Sequence, residues 1–170
     1  MIFEKFEINA EVCNEQEAKC TYYDAVKALS AQGRTISTAE SCTGGLMGKL
    51  FTDVSGASAV FAGGMITYTN HVKINKLGVS AETIATHTEV SFECAAEMAE
   101  RARLYFETDI AVSATGYAGP GGGTEKDPVG TVYVGVADGG AVRTYRLSFG
   151  ALSRDEIRYG VANFVAKQLL

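Results

Sequence analysis

Short β-branched runs alternate with amphipathic helical runs along this chain, and that alternation restricts its fold more than any other feature. Residues 14–32 have helical spacing, with Tyr22, Ala25, Val26 and Leu29 recurring on one face. Asn14 followed three residues later by Glu17 is a capping signal, and Gly33 ends the run. Residues 34–39 (RTISTA) predict a short buried strand, followed by the turn Glu40–Gly45 and an apolar-periodic run from Leu46 to Val54. Residues 58–68 predict a second strand, in which Gly63-Gly64 marks a bulge or a close approach. Asn70 is the expected cap of a short helix running to Lys76, Gly78 stops it, and Ser80 opens another. Val90 to Phe106 is the longest amphipathic stretch. A buried strand at 109–114 then leads into a Gly/Pro loop over 115–128. Residues 131–137 and 142–148 read as strands joined by Asp138-Gly139-Gly140, a hairpin signal, and a helix capped by Ser153 closes the chain over 153–170.

Helices that alternate with strands, with a hairpin near the end, imply an α/β fold. The expected architecture is a three-layer α/β/α sandwich on a mixed, mostly parallel sheet with a late antiparallel hairpin. The chain has 170 residues, enough for one domain whose core needs neither disulfide nor metal. Residues 1–12 lack a clear period and read as a ragged or strand-like N-terminal extension to a single domain over 13–170.

Charge and cysteine usage narrow the function. A formal net charge of −5 disfavours nonspecific nucleic-acid binding, which needs lysine and arginine to neutralise phosphates. It leaves room for a small anionic ligand held by a few local donors. Cys13, Cys20, Cys42 and Cys94 show neither a CxxC pair nor a zinc spacing, so reduced thiols and a cytoplasmic location are expected. Residues 1–10 carry Glu4 and Glu7 without an apolar run, so no secretory signal is expected, and no stretch is apolar enough to span a bilayer. Two histidines without clustered carboxylates or thiols imply no metal, and nothing implies a cofactor.

The turn between the first strand and its helix carries the most chemistry. Glu40-Ser41-Cys42-Thr43-Gly44-Gly45 stands at the carboxyl end of a strand, where α/β sheets form their sites. It offers a hydroxyl nucleophile, and the following helix start offers N–H groups for an anion or oxyanion. The same residues also suit a plain capped helix start, since serine, threonine and glycine are common there. The turn is neither a Walker P-loop nor a GxSxG elbow.

Thr38-Ala39-Glu40-Ser41-Cys42-Thr43-Gly44-Gly45 resembles the signature of the CinA C-terminal family, also called nicotinamide-nucleotide amidohydrolases. Further blocks follow in the family's order: Gly64–Asn70 with Lys73, Leu77-Gly78-Val79, Glu89-Val90-Ser91, Thr115–Gly122 and Pro128–Val132. The resemblance runs from about Ala25 to the C-terminus. It implies an α/β/α sandwich that hydrolyses the carboxamide of nicotinamide mononucleotide to nicotinate mononucleotide and ammonia. It makes Ser41 the nucleophile, Lys73 its base and Tyr68 the tyrosine that bridges or orients the pair. Thr43, Gly44, Gly45, Thr115, Gly116 and Arg154 are the expected substrate-binding residues. A homo-oligomer, a dimer first of all, is expected by the same analogy.

Without the motif, Lys73 would be an ordinary solvated lysine and Tyr68 a half-buried strand-end aromatic. A Ser–Lys pair works only with a neutral amine, which burial can provide. The segment Gly150-Ala151-Leu152-Ser153-Arg154 departs from the family's Gly-Asp/Asn-Arg, leaving Arg154 and Arg158 as alternative phosphate ligands. Two other readings stay open. One is a catalytically inactive nucleotide-binding or partner module of the same family. The other is a cysteine hydrolase using Cys42 with His71 or His87 as base.

Overall fold

A computed structural model describes residues 2–170. Six strands form one sheet: β1 (Glu4–Asn9), β2 (Ile36–Glu40), β3 (Phe61–Ile66), β4 (Ile110–Gly116), β5 (Thr131–Asp138) and β6 (Ala141–Ser148), in the spatial order β1-β6-β5-β4-β2-β3. The β1–β6, β2–β4 and β2–β3 pairs are parallel, while β4–β5 and the hairpin β5–β6 are antiparallel. The helices are α1 (Glu15–Gln32), α2 (Leu46–Thr52), α3 (Asn70–Val72), α4 (Ala81–His87), α5 (Phe92–Phe106) and α6 (Arg154–Lys167).

Alternation along the strands sends side chains to two cores. On one face, Ile110, Val112 and Ala114 of β4 pack with Tyr22 and Leu29 of α1, Met47 and Phe51 of α2, and Ile157 and Val161 of α6. On the other, Ala111 meets Cys94, Met98 and Ala102 of α5 and Leu77. The sandwich is therefore the three-layer α/β arrangement expected from the element order. No helix among the described residues is long and apolar enough to cross a membrane.

Local signals mostly act where they are written. Asn14 and Glu17 form a reciprocal capping box on α1, and Gly33 closes it in the left-handed region at φ 63°. The register of β2 and β3 shifts just before Gly63, and Gly64 marks a close approach, where a Cβ would collide with Thr38 Oγ1.

Several boundaries differ from expectation. The N-terminal segment takes the strand-like alternative and joins the sheet as the edge strand β1, with Phe6 stacked on Tyr145 at 5.2 Å. Strand β4 runs on through Thr115 and Gly116, because both stay in register with Tyr133 and Val132 of β5; the loop starts only after them. Thr69, not Asn70, caps α3 by accepting the Val72 N–H. Residues Lys73–Leu77 then form a π-helical turn in place of a continuous α-helix.

Candidate active site

Ser41 follows β2 at the point where the chain connections diverge. From β2 the chain passes through α2 to β3 on one side, and β3 returns through α5 to β4 on the other side of β2. Clefts in α/β sheets open at such a switch. The flanking strands hold the turn directly: the Ser41 N–H donates to Ala114 O at 2.9 Å, and the Thr67 N–H donates to Glu40 O at 2.7 Å. Ser41 and Thr67, just past the ends of β2 and β3, and Thr115, in the last residues of β4, consequently stand at the carboxyl ends of three adjacent strands.

Lys73 reaches this point because of its place in a helical turn. Thr69 starts the turn, the Lys73 N–H donates to Thr69 O at 3.0 Å, and a helical side chain leans toward its own N-terminus. The lysine stem thus points back to the end of β3. Its Nζ donates to Thr67 O at 2.8 Å and lies 3.0 Å from Ser41 Oγ. Lys73 is 1% exposed and Ser41 7%. Burial holds the Lys73 amine below the usual lysine range, against the opposing charge of Glu89.

A cleft of about 410 Å³ opens over the pair, within the roughly 300–1,000 Å³ of small-ligand sites. Tyr68, Glu89, Thr115, Gly116, Tyr117 and Arg154 line it with Ser41 and Lys73. Tyr68 is 60% exposed, and its hydroxyl bonds to neither Ser41 nor Lys73, so in this geometry the Thr67 carbonyl orients the amine. The Thr115 hydroxyl donates to Glu89 O at 2.7 Å and is therefore already committed. Arg154 faces the cleft and has no ion pair among the described residues. Asp127 pairs with Arg146.

Thr43, Gly44 and Gly45 lie elsewhere. They line a neighbouring, shallower cleft with Arg158, whose Nε donates to Cys42 O at 2.8 Å. The N–H groups expected to cradle an anion are already taken. The Gly44 N–H donates to Ser41 O, and those of Gly45, Met47 and Gly48 donate to the buried Glu40 carboxylate at 3.0, 3.0 and 2.8 Å. Gly44 and Gly45 sit at φ 59° and 102°, which lets the chain fold back over that carboxylate. The protein thus supplies its own anion to the α2 N-terminus. In this turn the N–H groups of Cys42, the residue after Ser41, and of Thr43 have no acceptor among the described residues, and Cys42 also lines the cleft.

Glu40, the Thr67 carbonyl and Glu89 were not singled out from the sequence. A carboxylate at the end of a strand, five residues before the N-cap of a helix, is a readable signal for Glu40, since anions favour helix N-termini. The thiol alternative weakens. Burial pushes the Cys42 thiol up to about 12, and neither His71 nor His87 lines the cleft. One backbone feature beside the site is strained: Thr88 has φ 71° and ψ 168°, a region nearly confined to glycine and costing about 1–3 kcal/mol.

Comparison with known proteins now identifies the family. Residues 21–170 match the CinA C-terminal domain. The chain belongs to that family. A crystal structure of the competence/damage inducible protein CihA from Agrobacterium tumefaciens superimposes with TM-score 0.87 and 36% identity, covering 90% of this chain and 93% of that one. A protein from Halothermothrix orenii named for competence-damage inducibility is 56% identical over 124 residues, which is 72% of this chain and 30% of the relative. A CinA-like protein of Cytophaga hutchinsonii is 40% identical over 156 residues, 90% of this chain and 37% of the relative. The chain thus spans about a third of the length of these curated CinA relatives.

Proposed function

We propose that this CinA-family chain is an amidohydrolase that converts nicotinamide mononucleotide to nicotinate mononucleotide and ammonia. The observation that carries the reading is the buried Lys73 amine 3.0 Å from the Ser41 hydroxyl, in a cleft at the sheet's carboxyl edge. A neutral amine whose N–H is spent on Thr67 O keeps a lone pair for the Ser41 proton.

In this reading, Ser41 Oγ attacks the carboxamide carbon as its proton passes to Lys73 Nζ. The developing oxyanion accepts the Cys42 N–H. Lys73 returns the proton to the nitrogen, the C–N bond breaks, and ammonia leaves an ester on Ser41. Water, deprotonated by Lys73, attacks that ester, and Ser41 recovers its proton as the carboxylate is released. Arg154 takes the phosphate, because its guanidinium faces the cleft unpaired while Arg158 is spent on a carbonyl. Four unpaired cysteines are in keeping with a cytoplasmic setting.

The test is ammonia release from nicotinamide mononucleotide by the purified protein, with Ser41→Ala as control. Turnover abolished by the substitution supports the reading. Binding of the mononucleotide without ammonia release would favour the inactive binding module.

A further inference from the structure

The cleft contains a carboxylate that amide hydrolysis does not use. Glu89 lines it together with Ser41, Lys73, Tyr117 and Arg154. Its backbone is held there against the conformational preference of its neighbour, since Thr88 occupies a near-glycine-only region at φ 71°. Four hydrogen bonds over-determine the turn. Thr88 Oγ1 donates to Val90 O at 3.1 Å and accepts the Val90 N–H at 3.3 Å. The Ser91 hydroxyl donates to Thr88 O at 2.9 Å, and the Thr115 hydroxyl donates to Glu89 O at 2.7 Å. Strain that is locked in this way, beside a cleft, points to a side chain whose position matters.

The carboxylate itself has few partners from the protein. Asn70 Nδ2 donates to Oε2 at 3.5 Å, the outer limit of a hydrogen bond, and Oε1 has no partner among the described residues. Its charge also works against the proposed base, because an anion near Lys73 favours the ammonium. A half-buried carboxylate on the cleft wall that is held in place and unhelpful to the base is suited to a cation supplied by the ligand.

Building on the amidase reading, we propose that Glu89 is a specificity residue that selects an N-substituted pyridinium ring over the uncharged ring. Nicotinamide mononucleotide carries such a cation at its glycosidic nitrogen, on the same ring as the carboxamide. An uncharged ring would strip water from the Glu89 carboxylate without providing a partner, and would be rejected for that reason. Arg154 and Glu89 then read opposite charges of one substrate, phosphate and ring.

The experiment separates this proposal from catalysis by using ligands that differ in ring charge. Binding of the 1-methylnicotinamide cation and of neutral nicotinamide is followed by NMR titration against wild type, Glu89→Gln and Glu89→Asp. Wild type is expected to prefer the cation by about tenfold or more, Glu89→Gln to lose that preference to within about twofold, and Glu89→Asp to keep most of it. Equal affinities in wild type overturn the proposal, even if Glu89→Gln does not fold. Equal weakening of both ligands in Glu89→Gln also overturns it, because that is a structural role. Ammonia release from the mononucleotide is measured in parallel. Turnover with no cation preference removes this proposal alone. A Glu89-dependent preference without turnover removes the amidase reading and leaves the cation site standing.

Discussion

The turn at Glu40–Gly45 has two sides built on opposite principles. On the α2 side, the Glu40 carboxylate is buried but accepts three backbone N–H groups. On the cleft side, the Lys73 amine is buried with one carbonyl and one hydroxyl, and its charged form is penalised. A buried charge with full hydrogen bonding makes a rigid anchor, whereas a buried amine with few partners makes a base. The two sides meet at adjacent residues of the turn, Glu40 and Ser41. The satisfied side holds the geometry that the unsatisfied side needs.

That contrast breaks most visibly at the pair itself. Ser41→Ala should cost at least ~10³-fold in ammonia release, and Lys73→Met at least ~10². The same Lys73→Met substitution should raise stability at neutral pH, where the unfolded lysine is protonated and hydrated while the folded amine is dry. The sign follows from the folded-state pKa lying below the unfolded value. The unfolded state then binds more protons between the two, so wild type regains stability as pH rises toward about 10.4. Urea melts of the two proteins across pH 7–10 should show the gap shrinking. A Lys73→Met protein less stable than wild type at neutral pH would mean that the amine is a structural tie.

The anchor side predicts the reverse pattern. Glu40→Ala leaves three N–H groups without their acceptor and should cost roughly 2–4 kcal/mol in denaturant unfolding. Its activity should fall as a consequence of the loosened turn. A variant of wild-type stability would show that the carboxylate does not hold α2.

The two arginines sharpen the comparison with smaller effects. Arg154→Ala should raise KM for the mononucleotide by about tenfold or more with little change in kcat. Arg158→Ala should leave KM within a few-fold, because its guanidinium is bonded to the Cys42 carbonyl. The opposite ranking would move the phosphate to the shallower cleft beside Thr43–Gly45. The smallest change is expected from Cys42→Ala, whose buried thiol acts as a small apolar group while its N–H stays in place. A large loss of rate there would revive the thiol chemistry.

Much of this was legible in the chain. Element order fixed the three layers, and the caps at Asn14, Ser80 and Ser153 act as written. The family resemblance, not the residues alone, paired Ser41 with Lys73, whose side chains lie 3.0 Å apart. What escaped was set by partners distant in sequence. Strand β4 extends through Gly116 because β5 continues beside it, and Thr43–Gly45 leave the cleft because Glu40 captures the N–H groups below them. Glu89 needed coordinates, since nothing in Glu-Val-Ser tells a cap-flanking glutamate from one aimed into a cleft.

The most direct test is a heteronuclear NMR titration of the Lys73 side-chain amine in the intact protein. The account requires its midpoint to fall clearly below the usual lysine value of about 10.4, and to rise toward that value when Glu40→Ala loosens the turn and admits water. A Lys73 amine that titrates at or above the ordinary lysine value in wild type would contradict it.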